Sequence, residues 1–109
     1  MDDWQIGQVV RSKAGRDKGR VFVIVGKFDD QHVFVADGDL RTIEKPKKKK
    51  FKHLQRYNDV IWQIKEKILN GDKLTNEEIR KFLELINPKS MRRDGYPWQR
   101  MMLLKWKVQ

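Results

Sequence analysis

Five consecutive apolar residues, Val21-Phe22-Val23-Ile24-Val25, most of them β-branched, constrain this chain more than any other feature. A strand with one wet face alternates apolar with polar residues, so an unbroken run calls for burial on both sides. The run suits a central strand, although period alone also admits a short buried helix. Ile6 to Val10 forms an apolar run upstream. Downstream, Asp29-Asp30-Gln31 supplies turn-favouring residues before His32-Val33-Phe34-Val35-Ala36, which predicts an antiparallel hairpin. Asp37-Gly38-Asp39 punctuates again, and Arg41-Thr42-Ile43-Glu44 alternates weakly, as a last, partly exposed strand would. Four such short strands are too few for a sandwich, so a small, strongly bent barrel is the expected closure.

Composition then shifts. Lys45 to Lys52 holds six lysines and no acid, with Pro46 near its start, and reads as a boundary or an extended arm. From Leu54 onward the period becomes helical: Leu54, Tyr57, Ile61, Ile64 and Ile68 form one stripe, which Asn70-Gly71 should end. Thr75-Asn76-Glu77-Glu78 matches a capping box, with Leu74 and Ile79 placed as its hydrophobic staple. Ile79, Phe82, Leu83 and Ile86 give a second apolar face, and Pro88 ends it. The segment from Trp98 to Val108 fits either a short helix or a strand and is apolar enough to pack somewhere. The expected class is therefore α+β, with residues 1–53 a small barrel and basic arm and residues 54–109 a helical hairpin and tail. Each half alone would have a marginal core, so the two should pack together.

Lysine and arginine number 25 against 15 acids, a net charge of +10. That excess is most readily relieved by a polyanion, nucleic acid or an acidic membrane surface. The chain has no cysteine, so disulfides and thiolate chemistry are excluded. Met1-Asp2-Asp3-Trp4 has neither the positive start nor the apolar run of a secretory signal, and no apolar stretch approaches the roughly 18 residues of a membrane helix. A soluble cytoplasmic protein is expected. Membrane attachment is disfavoured because the helical stripe faces a core and the lysine run has no adjacent lipid anchor.

Two clusters point to chemistry. Between Ser12 and Arg20, Gly15 and Gly19 permit a tight loop, which Arg11, Lys13, Arg16, Lys18 and Arg20 line with positive charge. Asp17 is placed to accept hydrogen bonds from the turn's own amides. Rigid strands would hold such a tip against phosphates, although charged, glycine-containing turns are also ordinary surface features. Lys45-Pro-Lys-Lys-Lys-Lys-Phe-Lys52, continuing to His53 and Arg56, could neutralise further phosphates. Phe51 either stacks on a base or joins the core. Tyr96, Trp98 and Trp106, among Arg92, Arg93, Arg100, Lys105 and Lys107, carry the same choice between packing and cationic stacking. His32 and His53, the two imidazoles, have no partners at metal-ligand spacing, and there is no HExxH, P-loop or nucleophile elbow. Asp29-Asp30 and Glu77-Glu78 are explained by a turn and a helix first turn. No catalytic activity, metal or cofactor is expected.

Gly7-Gln8-Val9-Val10, then Gly15-Arg16-Asp17-Lys18-Gly19 and Val23-Ile24-Val25, resemble the KOW motif of ribosomal proteins and transcription elongation factors. The order is similar to the eukaryote- and archaeon-type large-subunit ribosomal protein of the fourteen-e class and its bacterial relatives. The resemblance runs from about Ile6 to Leu54. Arg20-Val21-Phe22 stands where many KOW motifs have another glycine, a departure shared with the fourteen-e type, so it weakens the resemblance to the elongation factors more. The resemblance implies an SH3-like barrel and binding to structured RNA, above all ribosomal RNA, in the ribosome or its assembly. The residues expected to meet RNA are Arg11, Lys13, Arg16, Lys18, Gly19 and Arg20, with Lys45, Lys47, Lys48, Lys49, Lys50, Lys52 and Arg56. The competing expectation is a module that grips ribosomal or transcription-machinery proteins, with its charge serving solubility.

Overall fold

The computed structural model describes residues 4–86. The expectations for Tyr96, Trp98, Trp106 and their basic neighbours lie outside the described residues. The described chain forms β1 (Gln8–Ser12), β2 (Val21–Lys27), β3 (His32–Ala36), β4 (Lys47–Lys50), a short 3₁₀ turn (Phe51–His53), β5 (Leu54–Val60), α1 (Trp62–Asn70) and α2 (Asn76–Ile86). The five strands make one antiparallel sheet in the order β4-β3-β2-β1-β5, so the class is α+β.

The apolar run of β2 lies in the middle of this sheet and is covered on both faces, which is why it needs no alternation. On one face Val9, Val23 and Ala36 join Ile61, Ile64, Leu74, Ile79, Leu83 and Ile86 from the helical segment. On the other face Val10, Phe22, Ile24, Val33, Val35 and Leu54 bury against one another, with Trp4 and Phe51 packed on them. Among the described residues no helix joins that second cluster, which a curl of the sheet would bury.

The connection between β4 and β5 demands the same curl. These strands occupy opposite edges of the sheet, yet the Phe51–His53 turn alone joins them. Four strand spacings of about 4.8 Å would hold the edges roughly 19 Å apart in a flat sheet. A 3₁₀ path rising about 2 Å per residue covers less than half of that.

Local signals place the helices. Gly71 takes the left-handed conformation (φ 76°), while its N–H and that of Asp72 return to the carbonyls of Ile68 and Lys67, closing α1 as Asn70-Gly71 predicts. Glu78 N–H donates to Thr75 Oγ1 at 3.1 Å and Thr75 N–H to Glu78 Oε1 at 3.0 Å, completing the capping box ahead of α2. Gly38, at φ 78°, lets the β3–β4 connection pass against the start of α2. A Cβ there would stand 2.3 Å from the Asn76 carbonyl oxygen.

Three expectations are corrected. Arg41–Glu44 is a set of bends, not a strand. Asp37 Oδ1 takes the amides of Asp39 and Arg41, both at 2.9 Å, and Asn76 Oδ1 takes that of Ile43 at 2.8 Å, so these donors are spent locally. The lysine arm is instead the edge strand β4, paired along β3 from Val35↔Lys47 to His32↔Lys50. Finally, the helix expected from Leu54 begins at Trp62, and Leu54–Val60 is strand. Residues three apart share a helix face but take opposite faces of a strand. Leu54 accordingly enters the sheet's own core and Tyr57 the core shared with the helices.

Candidate functional site

The basic loop is a closed, hydrogen-bonded structure. Ser12 N–H donates to Arg20 O at 2.9 Å and Gly19 N–H to Ser12 O at 2.8 Å, pinching its neck above the last β1–β2 pair, Arg11↔Val21. Gly15 and Gly19 both have positive φ, 83° and 90°, as the tight path requires. Lys13, Arg16 and Lys18 are exposed around the tip, and Arg11 is exposed on β1. Asp17 differs from its expected role. Its side chain is 2% exposed and meets Arg41 Nη2 at 3.7 Å rather than the turn amides.

Arg20 does not join the exposed set. Its guanidinium is held by Asp37, with Asp39 at 3.3 Å. The Asp37 hydrogen bond raises its pKa against the effect of partial burial, so Arg20 is a permanent cation balanced from within the fold.

The lysines of β4 part company because strand side chains alternate. Lys47 and Lys49 share a face with their partners Val35 and Val33, while Lys48 and Lys50 share the opposite face with Phe34 and His32. Lys49 is buried, and its ammonium donates to the carbonyl of Ala14, inside the basic loop, at 3.0 Å. Lys48 Nζ lies over the Phe28 ring, 4.3 Å from its centroid. Lys50 and Lys52 are exposed, as is Lys45 in the turn preceding β4. Arg56 lies over Trp4, 5.5 Å from the ring centroid, and Trp4 rests on Phe51 with centroids 4.7 Å apart. Phe51 thus packs on the core and on Trp4.

The two clusters that are distant in sequence meet in space. Besides the Lys49–Ala14 bond, Lys13 N–H donates to His53 O at 2.8 Å, which sets the loop beside the turn carrying Lys52. Lys13, Arg16, Lys18 and Lys52 are therefore surface cations of adjoining segments, whereas Lys49 ties β4 to the loop and Arg20 ties the loop's end to Asp37 and Asp39 after β3.

The sequence reading leaves out one group. Phe28, His32 and Phe34 cluster at the β2–β3 hairpin, with Phe28–Phe34 and Phe28–His32 centroids at 5.6 and 6.1 Å, both edge-on. The alternation His32-Val33-Phe34-Val35 already separates the aromatic residues from the valines, and was the available signal.

Among the described residues no group of three or more His, Cys, Asp or Glu is placed to hold a metal ion, and no helix is long and apolar enough to cross a membrane. No protein-family model matches the chain. It is similar to the Bacillus subtilis (strain 168) protein named "Putative ribosome-binding protein YbzG". Of 71 aligned residues 32% are identical, and the alignment spans 65% of this chain and 96% of that protein. With about a third of the positions shared over nearly the whole length of that smaller protein, the chain belongs to the YbzG family.

Proposed function

We propose that this chain is a non-enzymatic cytoplasmic protein that associates with the ribosome or its assembly intermediates by binding ribosomal RNA. In this reading the curled sheet is a small SH3-like barrel of the KOW type, and its β1–β2 loop is the main phosphate contact. The observation that carries the reading is the junction of the two basic segments: Lys49 Nζ on Ala14 O at 3.0 Å and Lys13 N–H on His53 O at 2.8 Å. Those bonds join the loop and the lysine strand in one stiff unit, so phosphates can be neutralised without first ordering the chain. The name of the relative, a ribosome-binding protein, supports the same partner.

The test is binding of the full chain to ribosomal RNA fragments across a salt series. Arg16→Gln with Lys18→Gln should weaken binding and flatten the log–log salt dependence by about 0.7 to 0.9 per lost contact. Unchanged affinity and slope would overturn the reading.

A second reading, attachment through a ribosomal protein, draws on the groove between the loop and α2. Asp37, Asp39, Glu77 and Glu84 line it together with Lys18, Arg20, Arg80 and Lys81, a mixture better matched to a protein surface than to phosphates. Sedimentation with ribosomes that survives nuclease and high salt would favour it.

A further inference from the structure

Phe28 is 52% exposed, and neither it nor Phe34 belongs to either hydrophobic core. Its position is nevertheless fixed. The N–H groups of Phe28 and Asp29 both donate to His32 O, at 3.0 and 3.3 Å, which locks the β2–β3 turn. Asp29 Oδ1 takes the amides of Gln31 and His32 and faces His32 Nδ1, each at 2.8 Å. Asp29 is thus committed to the turn itself, while its neighbour Asp30 is exposed; Lys48, over the Phe28 ring, and Lys50, paired with His32, are the cations on the aromatic face.

A half-exposed ring with an ammonium 4.3 Å from its centroid matches a ligand that has both a π-face and a neighbouring negative charge. A nucleotide has both. The patch also continues the basic surface: Gln31 O, in the same turn, accepts the N–H of Phe51 at 2.9 Å, and the turn begun by Phe51 ends at His53, against Lys13. We infer that Phe28 is a stacking platform for an unpaired base of bound RNA, with Lys48 and Lys50 meeting the adjoining phosphates. This assignment rests on the RNA-binding reading and adds that single-stranded segments, rather than duplex alone, are recognised.

The test compares the full chain, Phe28→Ala and Phe28→Trp on two RNAs at fixed salt: a short single strand carrying a fluorescent purine analogue, and a blunt duplex. Phe28→Ala should weaken single-strand binding at least about fivefold and abolish quenching of the analogue. Duplex affinity and the salt slope should not change, and Phe28→Trp should restore both single-strand signals. An equal loss on both RNAs, or no loss on either, overturns the stacking assignment and leaves the phosphate surface standing. If wild-type chain binds neither RNA yet still sediments with ribosomes, the patch is a protein contact and both readings fall.

Discussion

Taking the Lys49 ammonium out of water is costly, and the Ala14 carbonyl at 3.0 Å offsets that cost. Lys50, the next residue, keeps its charge in solvent on the opposite face of the same strand. Charge reversal should separate the two. Lys49→Glu places a carboxylate against a carbonyl oxygen in a buried site and should cost about 3 kcal/mol or more. Lys50→Glu should change stability by no more than about 0.5 kcal/mol while weakening RNA binding. Urea denaturation of both variants, beside RNA titration of Lys50→Glu, checks the pair. Similar stability losses would show that the burial of Lys49 is energetically empty.

At the scale of elements, α2 depends on its first turn. Thr75→Ala removes the hydroxyl that satisfies the Glu78 amide and should cost about 1 kcal/mol. Glu78 also receives a hydrogen bond from Lys67 Nζ at 2.7 Å. That bond, with the Thr75 amide, holds its carboxyl below the ordinary value of 4.5. The folded chain therefore takes up this proton less readily than the unfolded chain, so the contribution is complete above pH 4.5 and is lost as pH falls through the lower folded value. Glu78→Gln should lower stability at neutral pH by about 0.5 kcal/mol and flatten the acid limb of the denaturation profile. An unaltered limb would show that the pair contributes nothing.

Elements whose signal is local were legible in the sequence. The box at Thr75 and Glu78, the stop at Gly71 and the double burial of Val21–Val25 all express chemistry within a few residues. Competition between partners distant in sequence was not legible. Leu54 and Tyr57 fit a helical stripe, but the open edge of β1 offered them backbone partners instead, and Ser12↔Leu54 opens that pairing. Likewise the lysine run carries no sign that the outer edge of β3 is vacant for it. In the candidate site, the cations of the loop tip could be named from sequence, while the internal roles of Lys49 and Arg20 depend on Ala14 and Asp37, which only the fold brings near.

Over the whole molecule, a charge of +10 repels itself, and salt relieves that repulsion while competing for any bound polyanion. Raising salt from about 50 to 200 mM should weaken RNA binding roughly a hundredfold for four phosphate contacts. Thermal stability of the free protein should hold or rise slightly over the same range. Parallel titration and melting series check this; a fall in both would mean that ionic bonds, rather than the two apolar cores, hold the fold.

The exposed lysines of β4, Lys48 and Lys50, also stand along an edge of the described sheet, where backbone groups would otherwise invite foreign strands. Mutual repulsion between like margins deters fibril-like stacking at high concentration. A polyanion that cancels those charges lifts the deterrent as it binds. The complex is then most prone to clump near charge equivalence, and least so when either component is in clear excess.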